Sequence, residues 1–251
     1  MSTEHIASRK DARIRRLRRL GREREYRSQC GEFLCDGEKL LSEALQHGAE
    51  VTAVLYREKN PGRPPEGARA MTAPDEVFDY ASPLVNSPGP LFTVKMRPIP
   101  PADAPERVMV LENVQDPGNV GTVLRTAAAL GTELVILTGE CADPWNPKTV
   151  RAAMGALFRQ PLLQLSRAEL AERLREWELP LYGAALSPDS ADVRTVSLDR
   201  AAVAVGNEGN GLSEALLDMC EKKIIIPMTP GSESLNAAVA ASLLMWEMAR
   251  H

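Results

Sequence analysis

Residues 107–138 read RVMVLENVQDPGNVGTVLRTAAALGTELVILT, and this stretch decides the fold. Val108–Leu111 is apolar at every position, the mark of a strand buried on both faces. Asp116 stands where a helix cap belongs, Pro117 follows at the first helical position, and Gly131 stops the helix. Glu133–Leu137 is then the next strand. The alternation continues to the end of the chain. Pro147–Met154 reads as helix, Leu162–Leu165 as extended, Arg167–Glu178 as helix, Leu181–Leu186 and Ala201–Val205 as strands. Ser213–Cys220 is a short helix, Lys223–Ile226 a strand, and residues 235–249 the last helix. This order predicts an α/β domain with a mostly parallel sheet.

Upstream the same reading gives a smaller α/β unit. Phe33–Cys35 is a short strand, Asp36 a candidate cap, and Leu40, Leu41, Ala44 and Leu45 form the apolar stripe of a helix over residues 37–47. Gly48 stops that helix, and Val51–Tyr56 completes a βαβ unit. Eleven of the 19 prolines lie between residues 61 and 105. Their densest run, Arg97–Pro105, reads as a linker. The expected division is a basic arm over residues 1–27, a small domain over 28–96, a Pro-rich linker over 97–106 and a larger domain over 107–251.

Composition narrows the class. With 44% hydrophobic and 25% charged residues in a chain of 251, the protein has the make-up of a globular one. Its apolar runs are too short to span a membrane, and the N-terminus lacks the apolar core of a secretory signal. No membrane partner is expected. Cys30, Cys35, Cys141 and Cys220 form no CxxC pair, and His5, His47 and His251 are scattered, so no metal site is expected. Reduced cysteines in a cytoplasmic chain are the natural reading. The net charge of −4 hides an asymmetry. Residues 1–27 hold ten Arg or Lys against four acids, a balance of +6 that leaves −10 for the remainder. A basic arm is a phosphate-binding footprint, a solvated segment or a mitochondrial transit peptide, and the four acids count against the last.

In an open parallel sheet, ligands bind outside the carboxyl ends of the strands. Three polar, glycine-bearing loops fall there: Glu112–Gly121 leading to Arg125, Gly206–Gly211, and Pro227–Ser234 leading to Leu235 and Asn236. None is a Walker A loop, none fits the dinucleotide fingerprint, and no histidine is placed to complete a Ser–His–Asp triad.

Asn113, Asn119-x-Gly121 and Arg125 resemble the first motif of the SpoU (TrmH-type) RNA 2′-O-ribose methyltransferases of the SPOUT superfamily. Gly206-Asn207-Glu208-Gly209-Asn210-Gly211 resembles the second. Ile226-Pro227-Met228 with Ser234-Leu235-Asn236 resembles the third, and Asn146–Ala156 is similar to a further family stretch. The resemblance runs in order over residues 107–251. More loosely, residues 33–95 are similar to the L30e-like RNA-binding domain of many members.

That resemblance implies a knotted (trefoil) C-terminal domain, S-adenosyl-L-methionine as cofactor, a homodimer, and transfer of methyl to a ribose 2′-OH of structured RNA, ribosomal in preference to transfer RNA. The alternatives are a non-catalytic RNA-binding or ribosome-assembly protein on this fold, or a transfer-RNA enzyme. Implied cofactor-binding residues are Gly206, Asn207, Ile226, Met228 and Leu235. Implied catalytic residues are Arg125, Asn119, Glu208, Ser234 and Asn236. Arginine is normally a fixed cation, so phosphate anchoring is the minimum role of Arg125. Glu208 is the chemically easier proton acceptor or an orienter of Arg125, and the choice of base stays open. Asn119 would position Arg125 or the ribose, whereas Ser234 and Asn236 would cap the last helix or face the target nucleotide.

Overall fold

The computed structural model describes residues 3–229, 231 and 234–250. The chain forms two compact units, Met1–Arg97 with Asp143–Phe158, and Pro98–Ala142 with Arg159–His251.

In the smaller unit the order is β1 (Glu4–His5), α1 (Ala12–Arg22), α2 (Arg24–Cys30), β2 (Glu32–Asp36), α3 (Glu38–Gln46), β3 (Val51–Arg57), β4 (Arg69–Ala73), α4 (Asp75–Ala81) and β5 (Leu91–Lys95). The strands form one sheet in the order β1-β4-β3-β5-β2. The two strands of the expected βαβ unit, β2 and β3, do run parallel, yet they are not neighbours. Strand β5 lies between them, antiparallel to both. It occupies a proline-free window within the proline-rich stretch, which is why its presence there is easy to overlook.

The segment read as a basic arm is folded. Ile14, Leu17 and Leu20 are buried at helical spacing on α1 and pack with Leu34, Leu55, Met71, Phe78 and Leu91. Three apolar residues on one face suffice to dock a helix whose remaining surface is arginine. Asp11 caps α1 by accepting from the Arg13 backbone N–H. The expected cap of α3 is corrected as well. Gly37, not Asp36, is the N-cap, and it makes no side-chain cap bond. The Asp36 carboxylate instead accepts the hydroxyls of Ser82 and Ser87. Burial pushes its pKa up, and those two hydroxyl bonds oppose the shift.

Asp143–Phe158, expected within the larger domain, packs in the smaller unit. The Arg27 guanidinium donates to the Asp143 carboxylate, 3.0 Å from Nε, with both side chains more than nine-tenths buried. The Phe33 ring lies 4.8 Å from the Trp145 ring and 6.3 Å from the Phe158 ring, centroid to centroid.

The larger unit contains β6 (Arg107–Glu112), α5 (Pro117–Leu130), β7 (Leu134–Thr138), β8 (Leu162–Gln164), α7 (Arg167–Glu176), β9 (Leu181–Ala184), β10 (Ala191–Asp192), β11 (Ala201–Val205), α8 (Glu214–Leu217), β12 (Lys222–Ile225) and the last helix (Ala237–Ala249). The short helix Pro147–Ala153 of the inserted segment is α6, so the last helix is α9. Every pairing in the seven-stranded sheet β10-β12-β9-β11-β6-β7-β8 is parallel. Central strands β6 and β11 are buried almost throughout, as their unbroken apolar runs require. Asp116 caps α5, Pro117 opens it and Gly131 closes it in the left-handed conformation.

Candidate active site

The sheet order places the site. From β6 the chain leaves toward β7 on one side, and from adjacent β11 it leaves toward β12 on the other. Such a reversal opens a crevice at the carboxyl ends of the two strands. Register brings the loop origins level: Val205 pairs with Leu111, Ala204 with Gly183, and Ile224 with Ala184. The loops after β6, β11 and β12 therefore leave the same edge, the outer two separated by roughly three strand spacings, about 15 Å.

Side-chain hydrogen bonds join the three loops. The Asn119 amide nitrogen donates to the Glu208 carboxylate, and the Asn236 amide nitrogen donates to Asn119 Oδ1 at 3.1 Å. Asn236 also caps α9, its Oδ1 accepting from the Ala238 and Val239 N–H groups. Asn119 is itself held in the first turn of α5, where its N–H donates to Asp116 at 2.8 Å. Asn119 of the first motif thus bonds to one residue from each of the other two, Glu208 and Asn236.

Arg125 stands apart from this chain. It is exposed on α5 and has no hydrogen bond or ion pair among the described residues. Six residues separate it from Asn119, about 9 Å along the helix axis. Asn119 and Glu208 bond to each other and do not orient Arg125. Its guanidinium fork is left available to an external anion. Ser234 is exposed, and among the described residues Asn236 is the N-cap of α9. Pro230, Ser232 and Glu233 of the third loop lie outside the described residues.

The expected cofactor residues combine a closed backbone loop with apolar side chains. At Gly206 a Cβ would stand 2.1 Å from the Gly211 carbonyl carbon, so only glycine lets these two backbone segments close on each other. Asn207 and Gly211 exchange backbone hydrogen bonds of 3.1 and 2.8 Å across the loop. Ile226, Met228 and Leu235 are partly buried. Partly open apolar side chains would suit the adenine of S-adenosylmethionine, and the carbonyls of a backbone-lined loop would suit its sulfonium. Both cysteines of this unit have raised pKa values, chiefly through burial, with Cys220 at about 11. Burial thus disfavours the reactive thiolate form of both.

One buried charged residue lies outside the predicted site set. Glu112, at the end of β6, is 2% exposed, and its carboxylate accepts from Ser213. A charged residue closing the apolar run VMVL was the available signal.

A doubly wound parallel sheet with polar loops bonded together at its switch point defines a ligand-binding α/β protein, and comparison with known proteins narrows that class. The model of the SpoU rRNA Methylase family matches residues 106–246, and that of the MRM3-like substrate binding domain matches residues 11–86. The 23S rRNA (guanosine(2553)-2′-O)-methyltransferase RlmP of Bacillus subtilis is 30% identical over 98% of this chain and 99% of its own. The 23S rRNA (uridine(2479)-2′-O)-methyltransferase of Streptomyces viridochromogenes is 31% identical over 99% of this chain and 93% of its own. The crystal structure of an AdoMet-bound rRNA methyltransferase from Sinorhizobium meliloti superposes with a TM-score of 0.88, at 25% identity, over 99% of this chain and 98% of its own. The chain belongs to the SpoU rRNA methylase family and is an RNA-methylating enzyme.

Proposed function

We propose that the protein transfers a methyl group to a ribose 2′-OH of ribosomal RNA. The observation that carries this reading is the hydrogen-bonded chain Glu208–Asn119–Asn236, which unites three loops at the switch point of the sheet. S-adenosylmethionine is the methyl donor and would supply an electrophilic methyl on a sulfonium, whose S–CH3 bond breaks as the O–CH3 bond forms and which departs as a neutral thioether. Gly206, Asn207, Ile226, Met228 and Leu235 hold it. The Glu208 carboxylate, kept in place by Asn119, takes the 2′-OH proton, while Arg125 grips an adjoining phosphate and aligns the ribose. Asn236 and Ser234 flank the target nucleotide. Alignment of nucleophile and methyl supplies much of the rate, on the order of 7–11 kcal/mol in favourable systems. Ribosomal RNA is favoured because relatives named for it match nearly the whole chain, small domain included. A structure named for 2-OH methylation of C/U34 on tRNA covers 59% of it. Incubation with methyl-labelled donor and total RNA lacking endogenous modification tests the reading. Label should appear as 2′-O-methyl in one ribosomal species, and label confined to transfer RNA would refute it.

The smaller unit binds the RNA. Helix α1 carries six arginines and no acid. Several are spent within the fold: Arg13 pairs with Asp11, Arg16 with Glu32 and Arg19 with Glu23, while Arg18 donates to the Tyr80 carbonyl. Arg15 and Arg22 are exposed seven residues apart on one face, and exposed Arg24 follows on α2. Such a cationic ridge suits a phosphate backbone. The triple change of Arg15, Arg22 and Arg24 to alanine should weaken RNA binding. It should also flatten the dependence of log K on log[salt] by about 2–3, measured by filter binding. An unchanged slope would remove this ridge from the interface.

The working form is a cytoplasmic homodimer whose larger unit is threaded as a trefoil knot. Support for the dimer comes from α9, where Val239, Leu243 and Trp246 expose 47%, 44% and 57% of their surface along one face. A second copy covers this stripe. Trp246→Glu should yield a monomer by light scattering, and an unaltered mass would place the dimer contact elsewhere.

A further inference from the structure

The loop Gly206–Gly211 is closed on itself, yet that closure does not set where it sits. The Asn207 Oδ1 accepts from the Gly209 and Asn210 N–H groups at 2.9 and 3.2 Å, which stiffens the loop internally. Its placement comes from two outside anchors. At its start, Asn207 Nδ2 donates to the Asn113 carbonyl at 3.0 Å. Just past its end, the Ser213 N–H and hydroxyl donate to the two oxygens of the Glu112 carboxylate, each at 2.7 Å. Both anchors are consecutive residues at the carboxyl end of β6. Asn113 takes a left-handed backbone there, with φ of 56°, and its own Oδ1 accepts the Glu140 N–H at 2.7 Å. Arg167 places a guanidinium nitrogen 4.0 Å from the Glu112 carboxylate and donates to the Ser213 hydroxyl.

We infer that Glu112 is a positioning residue for the cofactor: together with Asn113 it fastens both ends of the loop 206–213 to the central strand. A carboxylate at a strand end buried on both faces costs desolvation that an apolar residue would not. What it provides is a two-pronged acceptor matched to the N–H and O–H of one serine. Ser213 in turn caps α8 by accepting from the Leu216 N–H, so the grip passes to the element that follows. Glutamine at position 112 keeps the shape but turns one acceptor into a donor facing Ser213, leaving a buried group unpaired.

This inference rests on the assignment of loop 206–211 to the cofactor, and the test separates the two. Hydrogen exchange on the wild-type protein with and without S-adenosylmethionine reads the assignment: amides 206–212 should be protected by the donor. Lack of protection sinks the cofactor role of the loop and with it the inference. Exchange on the ligand-free Glu112→Gln protein reads the clamp, and amides 207–213 should exchange at least tenfold faster. Calorimetry should then show the donor Kd raised about tenfold, with the KM for RNA unchanged. Glu112→Asp, which keeps the charge but withdraws it by one methylene, should recover part of the affinity. Ser213→Ala, which removes one prong only, should show the same pattern at smaller amplitude and serves if Glu112→Gln does not fold. A folded variant with a lowered Tm but unchanged loop exchange and donor Kd would overturn the inference, since Glu112 would then only stabilise the fold.

Discussion

Arg125→Ala should lower kcat by about 10²–10⁴-fold while leaving the Kd for S-adenosylmethionine within twofold of wild type. The first half follows from the chemistry of the step. A 2′-OH is a poor nucleophile, and its attack on a methyl group demands a ribose held in line. Removing a group that positions or deprotonates a nucleophile costs this range. The second half follows from geometry. Arg125 lies on the exposed side of α5, outside the hydrogen-bonded chain of Glu208, Asn119 and Asn236, and no described cofactor residue bonds to it. Arg125→Lys separates the roles. A lysine keeps the charge but lacks the planar fork that meets a phosphate with two parallel bonds, so partial recovery is expected in RNA KM more than in kcat. Single-turnover rates at saturating donor, taken over a range of RNA concentrations, measure both. A near-normal rate in the alanine variant would remove Arg125 from the catalytic machinery and leave Glu208 with Asn119 to carry the proton transfer.

Asp143→Ala should destabilise the smaller unit by about 3–5 kcal/mol, on the order of 10 °C in Tm by calorimetry. Arg27 is 2% exposed, and apart from Asp143 its guanidinium donates to the Leu20 carbonyl at 2.8 Å. Losing Asp143 strands a buried cation with a single neutral acceptor, and that uncompensated charge dominates the effect. The paired change of Arg27→Met with Asp143→Leu should restore most of the loss, because replacing both charges removes the desolvation cost along with the attraction. If the double variant were as unstable as the single one, packing of Asp143–Phe158 on Phe33 would be the larger contribution.

Local physics made much of the larger unit legible. The apolar runs at Val108–Leu111 and Ala201–Val205 are strands because nothing else buries both faces of so short a segment. The ends of α5 follow from Asp116, Pro117 and Gly131, each a cap, opener or stop through its own backbone preference. The smaller unit was harder to read. Ten basic residues within residues 1–27 masked the stripe Ile14, Leu17 and Leu20. Asp36 has the chemistry of a helix cap, but two serines from distant segments, Ser82 and Ser87, claim its carboxylate first.

By itself, then, the sequence determined the alternation of elements, the three polar loops and the order of motifs along the larger unit. Each depends on side-chain periodicity or a residue's own φ/ψ preference, over a few neighbours. The tertiary structure alone decided which residues of those loops meet. Asn119 finds Glu208 89 positions away and Asn236 117 positions away. Glu112 finds Ser213 across 101 positions. Only the parallel register, which ends β6, β11 and β12 at one edge, makes these separations small in space. Arg125 shows the converse: near Asn119 in sequence and in the same motif, it is turned by the helix away from the bonded chain, because six residues is not a whole number of helical turns.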